Sequence, residues 1–278
     1  MRLLLPLIVA FVVTLHAPNL ARAITPEQVE IPFRDGHLRA LIYRPEGQGP
    51  FPAVIGLHGC AGVNVGARAP DSRYSDWGQR LANAGFVVLF PDSYGSRGLG
   101  SQCGTRNRNV RVDRERVADV ESARHWLQGQ SWIAAERISL LGWSNGGITT
   151  LWAVRPRVAA KDGGPDFRSA IAFYPGCRRL GETAWNARVP TLILIGGADD
   201  WTSPAACAQM VAGARGRSAR ISFVVYPGAY HDFDHPNRPV QVRSGSAFSV
   251  DGSGKVHTGT NPAARADAIK RVQEWLAR

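Results

Sequence analysis

The sharpest chemical signal in this chain is a serine set in Gly142-Trp143-Ser144-Asn145-Gly146-Gly147. The pattern G-x-S-x-G lies where the apolar stretch 137–141 (RISLL) must turn sharply into the helix-like ITTLWAV. A serine on such a turn takes a strained backbone that lifts its hydroxyl clear of a sheet. Glycine is needed at 142 and 146 because side chains would collide with the neighbouring strand and helix. The hydroxyl is a poor nucleophile at neutral pH and needs a base. His231 meets that need, in a loop that directly follows the stretch 221–226 (ISFVVY). The base in turn needs an acid to hold its tautomer and stabilise the imidazolium. Residues 191–195 (TLILI) run into Gly196-Gly197-Ala198-Asp199-Asp200-Trp201, so Asp199 is the candidate acid and Asp200 the alternative. Asp200 could instead brace the turn or cap the helix that starts near Pro204. The order Ser144, Asp199, His231 along the chain is the one expected of these roles.

The oxyanion of a tetrahedral intermediate needs backbone N–H donors. Asn145, directly after the nucleophile at a helix N-terminus, supplies one. The loop Leu57-His58-Gly59-Cys60-Ala61-Gly62 allows close backbone approach, and Cys60 is assigned the second. His58 is read as organising that loop by hydrogen bonds. His235 is the backup base, and Asp232 and Asp234 are alternative acids if the strand before Asp199 fails. His125, on a helix before the serine, and His37, in an opening hairpin, are read as structural or solvated. His257 falls in a loop read as remote, and His16 lies in the N-terminal segment.

Short apolar runs alternate with longer helical patterns, which predicts an α/β fold with a mainly parallel sheet. Strands are expected over 27–33, 39–43, 53–57, 86–90, 137–141, 169–173, 191–195 and 221–226, the first two as an antiparallel hairpin turned at Asp35-Gly36. Helices are expected over 74–84, 113–127, from about 145, 204–214 and 262–276. The helix over 113–127 has the clearest apolar stripe, Val117, Val120, Ala123 and Leu127, with Arg114, Glu115 and Arg124 facing away. Residues 92–112 and 232–260 are Gly-, Pro- and Arg-rich and read as long loops of the kind that shape a pocket.

The 278 residues are 44% apolar and 20% charged, a globular make-up that excludes a disordered tail and a multispan membrane protein. Net charge is +11, but only three of the 33 basic residues are lysines and no basic run is interleaved with aromatics. Nucleic acid is therefore not an expected partner. No helix pattern carries paired histidines and no C-x-x-C occurs, so no metal site is expected. Residues 1–23 read as a signal peptide: Arg2, an apolar run of about 13 residues too short to span a bilayer, then Ala21-Arg22-Ala23. The expected product is one exported domain, 24–278, in the periplasm or outside the cell, with no stable membrane insertion.

GWSNGG, HGCAG, GGADDWT and GAYHDF, in that order and spacing, resemble the dienelactone hydrolase family of the α/β-hydrolase superfold, over about residues 30–276. The resemblance implies an eight-stranded sheet flanked by helices and hydrolysis of a small ester or lactone without a cofactor. It implies catalytic roles at Ser144, Asp199 and His231, with oxyanion donors at Asn145 and Cys60. Two positions depart from the family's namesake: a serine replaces its cysteine nucleophile, and Gly59 stands where it has an acidic residue. The superfold's strand order also implies disulfides Cys60–Cys103 and Cys177–Cys207, although four cysteines by themselves allow three pairings. Arg97, Arg106, Arg108 and Arg111 are read as a solvated loop, with an anion-favouring pocket as the alternative. Trp143, Trp201 and Tyr230 flank the site as pocket lining or core. Other readings are a peptidase or polyester depolymerase on the same fold, or a non-catalytic binding protein.

Overall fold

A computed structural model describes residues 23–33, 36–66, 71–156 and 163–278. The expected signal peptide, save Ala23, and the turn residue Asp35 lie outside the described residues. An eight-stranded sheet forms the centre, in the order β1-β2-β4-β3-β5-β6-β7-β8. Its strands are β1 (Glu27–Phe33), β2 (Gly36–Tyr43), β3 (Phe51–Leu57), β4 (Val87–Pro91), β5 (Ile133–Trp143), β6 (Ala170–Phe173), β7 (Thr191–Gly196) and β8 (Ile221–Tyr226). β1 with β2 and β2 with β4 are antiparallel, and every later pairing is parallel. The helices are α1 (Ser72–Asn83), α2 (Glu115–Gln128), α3 (Asn145–Ala153), α4 (Arg178–Glu182), α5 (Pro204–Gly213) and α6 (Pro262–Leu276). This is the expected α/β-hydrolase architecture.

The sequence explains the layering. Parallel strands covered on both faces read as continuous apolar runs rather than alternating ones. AIAF of β6 and TLILIG of β7 are buried at every position. Helix starts are set by short polar caps. Asp71, Ser203 and Asn261 each accept a backbone N–H from the first turn of α1, α5 and α6. Ser203 thus takes the capping role considered for Asp200.

Two expectations need correction, and one helix is added. Residues 232–260 are not one loop: β9 (Gln241–Arg243) and β10 (Val256–Thr258) pair antiparallel within it. These strands are three residues each, too short to show a period. The short helix α4 also went unread. Arg124 does not face away from the core: it is 1% exposed, with its guanidinium bonded to Glu121, Gln128 and the carbonyl of Pro165. Two more charged residues of α2, Arg116 and Asp119, are also fully buried.

Under the carboxyl ends of the strands lies an aromatic layer. Trp143 stacks on Phe173 with centroids 5.9 Å apart and 12° between planes, and Tyr74, Trp77 and Phe90 close around it. Trp143 is therefore core, not pocket lining.

Candidate functional site

Ser144 stands between β5 and α3 with φ 52° and ψ −113°. Such geometry is costly for a residue with a side chain and persists only where its surroundings fix it. They do so here. Its N–H donates to the carbonyl of Phe173 at 2.9 Å, and its carbonyl accepts the N–H of Ile148 at 2.9 Å. A Cβ on Gly142 would meet the carbonyl of Gly146 and Oγ1 of Thr150; one on Gly146 would meet the carbonyls of Leu57 and His58. The two glycines are required by crowding, as the motif predicts.

Asp199 follows β7 and is 4% exposed, and His231 follows β8 and is 1% exposed. Asp199 Oδ2 lies 2.8 Å from His231 Nδ1. The same carboxylate accepts the N–H groups of Trp201 and Thr202, at 2.9 and 2.8 Å, and the hydroxyl of Thr202 at 2.9 Å. A carboxylate so placed fixes the proton on Nδ1 and leaves the lone pair on Nε2. Nε2 of His231 is buried and has no hydrogen-bond partner. The ring packs against Tyr174 and Trp201, with centroids 4.4 and 4.7 Å away. Thr202 and Tyr174 were not singled out from the sequence. The only signal for Thr202 is its place one turn after Asp199.

The loop after β3 passes close to Ser144. A Cβ on Gly59 would lie 3.8 Å from that of Ser144, and the Gly59 N–H donates to Tyr74 Oη at 2.8 Å. His58 sets the loop's shape: Nδ1 donates to the carbonyl of Gly59 at 2.8 Å, and Nε2 accepts the N–H of Ser93 at 3.1 Å. Burial first, then the charge of Arg116, holds this imidazole well below its ordinary range, so it stays neutral. The N–H of Asn145, first residue of α3, has no acceptor within its helix. Cys60 and Asn145 both line one cavity of about 480 Å³ with Ser144.

The cysteines pair as Cys60–Cys103 and Cys177–Cys207. The first ties the loop of Cys60 to residues 92–112, reinforced by the Gln102 N–H donating to the Cys60 carbonyl at 2.8 Å. Of the four arginines in that segment, Arg97 is engaged by Asp119 and Arg111 by Asp113. Arg106 and Arg108 lie over the ring of Phe248, and Arg108 lines the cavity.

The remaining candidates stand elsewhere. His235 Nε2 is 3.0 Å from Ser72 Oγ, and His37 and His125 are exposed. Asp234 is fully buried and accepts Trp77 Nε1 and Trp143 Nε1, both at 2.8 Å, and Tyr174 Oη at 2.6 Å. Asp232 pairs with Arg73 and Arg238, each at 2.6 Å. Burial raises its pKa, but Arg73, His231 and Arg238 outweigh that and hold it far below the usual carboxylate range. Both acids therefore fix the segment that carries His231. His257 is the misread one: it is not remote. Its Nδ1 lies 2.6 Å from Asp200 Oδ2, and its ring stacks on Tyr230 at 4.9 Å. Among the described residues no group of three or more His, Cys, Asp or Glu could hold a metal ion, and no helix is long and apolar enough to cross a membrane.

The sequence profile of the dienelactone hydrolase family matches residues 38–278. A protein of Methylorubrum extorquens named "Putative carboxymethylenebutenolidase" is 27% identical over 237 residues, 79% of this chain and 76% of that one. The crystal structure of a dienelactone hydrolase from Anabaena variabilis superposes with a TM-score of 0.62 at 16% identity, covering 92% of this chain and 98% of its own. Esterase 2 of Thermogutta terrifontis, phosphorylated by paraoxon, superposes at 0.63 with 19% identity, covering 90% and 93%. At these identities the structures share the fold.

Proposed function

The chain belongs to the dienelactone hydrolase family, and from that premise we propose that it cleaves a carboxylic ester or lactone by two-step acyl transfer through Ser144, His231 and Asp199. It is a hydrolase acting on esters or lactones. In the first step Ser144 Oγ bonds to the carbonyl carbon as its proton passes to His231 Nε2. The carbonyl electron pair moves onto oxygen, between the N–H groups of Asn145 and Cys60. Collapse of the intermediate breaks the bond to the leaving oxygen, which takes the proton from His231. Water then attacks the acyl-enzyme, giving its proton to His231. The second collapse releases the acid and returns the proton to Ser144. Asp199 holds the imidazole's tautomer throughout and stays ionised.

One observation carries this reading: the Asp199 contact to Nδ1 leaves a buried Nε2 on His231 with no partner, an acceptor in need of a proton. Ser144→Ala should lower kcat on p-nitrophenyl acetate by about 10⁴–10⁶, and a fluorophosphonate should label Ser144 alone. Activity surviving in the alanine variant would refute the assignment. Residues 1–23 are further proposed as a cleaved signal peptide ahead of one domain, 24–278. Two disulfides suit an oxidising compartment. The intact mass of exported protein should correspond to a chain beginning at Ile24.

A further inference from the structure

Arg116, near the start of α2, is 0% exposed and takes no part in the chemistry just described. Its Nη1 donates to Asn145 Oδ1 at 2.5 Å, and its Nε lies 3.4 Å from Ser93 Oγ. Nη2 is buried without a partner, as is Nδ2 of the same Asn145. Among the described residues no carboxylate pairs with this guanidinium. Asp119, one turn further along α2, is occupied by two bonds from Arg97. A buried charge without a counter-charge is costly and is normally neutralised. Buried Arg73, by contrast, sits between Asp232 and Asp234.

The charge acts where the site needs it. Asn145 Oδ1 is held by Arg116 and by Tyr94 Oη, at 2.9 Å for the latter, and this same residue lines the cavity together with Ser144. The depressed His58, on the loop that presents Cys60, is a second place where this charge is felt. Among its described residues the resting protein offers Arg116 no negative partner. The one negative charge that forms next to Asn145 is the oxyanion of the tetrahedral intermediate. A fixed charge that is itself buried from water favours such a transition state over the neutral ester.

We infer that Arg116 is a positioning residue that acts through Asn145, its buried guanidinium serving as the counter-charge of the oxyanion. The inference rests on the proposed roles of Ser144 and Asn145.

Four variants test it on p-nitrophenyl acetate, with folding followed by circular dichroism. Arg116→Gln can still donate to Asn145 but carries no charge; Arg116→Lys keeps a charge in similar volume. Tyr94→Phe removes the other bond to Asn145 Oδ1 and leaves the charge, and Ser144→Ala runs in parallel. Arg116→Gln should lower kcat about 30-fold and Arg116→Lys about 3-fold, each with KM within about 2-fold. The inhibition constant of phenylboronic acid, whose adduct on Ser144 is an anionic tetrahedron, should rise in step with the loss in kcat. Tyr94→Phe should cost less than about 3-fold. The inference is overturned if Arg116→Gln keeps the parent kcat, if the loss falls on KM, or if Arg116→Lys is as slow as Arg116→Gln. Should Arg116→Gln not fold, a loss of about 30-fold in Tyr94→Phe or Arg116→Lys overturns it equally, because a hydrogen-bond brace would then be the whole effect. A fully active Ser144→Ala would instead sink the reading of the site itself.

Discussion

Asp200 holds His257 at two points: Oδ2 lies 2.6 Å from the ring Nδ1, and Oδ1 accepts the backbone N–H at 2.8 Å. The Asp200 carbonyl also accepts the N–H of Val250 at 2.8 Å. The excursion that carries β9 and β10 is thus fastened to the residue next to Asp199. It brings Phe248 and Val250 to the cavity.

The two adjacent aspartates should therefore fail in different ways. Asp199→Asn should lower kcat about 10⁴-fold, because an amide at Oδ2 favours the wrong tautomer of His231. Asp200→Ala should leave kcat within about 5-fold and raise KM, because it loosens a wall of the cavity and not the base. Steady-state kinetics on one ester decide this; equal losses in kcat would contradict it.

Asp232 makes stability depend on acid. Its carboxyl is held low by Arg73, His231 and Arg238, so its contribution is fully present above the unfolded carboxyl's pKa of about 4 and fades as pH falls further. Asp232→Asn, which leaves the buried Arg73 short of a partner, should cost about 3–5 kcal/mol at pH 7. The gap to the parent should narrow as pH drops from about 5 toward 2. Urea melts at several pH values would show it, and a constant gap would contradict it.

Each disulfide closes a long loop, with sequence separations of 43 and 30 residues. Chain entropy alone gives each about 4 kcal/mol. Cys60→Ser with Cys103→Ser should lower both Tm and kcat, because this bridge steadies the loop that presents the Cys60 N–H. Losing Cys177–Cys207 should lower Tm with a smaller effect on kcat. Mass mapping without reductant should find no alkylatable thiol in the parent.

Phe248 is 49% exposed at the cavity. A substrate that covers the open half of this ring gains about 1.4 kcal/mol, or tenfold in binding. Phe248→Ala should raise KM about tenfold for aryl-acid esters and less than 2-fold for acetates. The KM ratio between benzoate and acetate esters measures it.

Much of the site could be read from the residues, because its geometry demands rare local features. The crowding that requires Gly142 and Gly146 left its mark in the motif, and the buried strands β6 and β7 could be read as apolar runs. Arg116 and Arg124 could not be read. Periodicity treats arginine as a solvent-facing residue, and the acceptors that allow these two inside, Asn145 and the Pro165 carbonyl, are 29 and 41 residues away along the chain. His257 was missed for a similar reason: its partner, 57 residues away, is met only through β9 and β10, which are too short to signal themselves.

Asp234 ties the segment of His231 to α1 through Trp77, to β5 through Trp143 and to the end of β6 through Tyr174. Those partners come from three separate stretches of chain, so the proposed base finds its seat only after all three have docked. Competence is thereby coupled to the completion of folding. A half-assembled chain should therefore be inert toward esters, and recovery of activity on refolding should trail recovery of helix content.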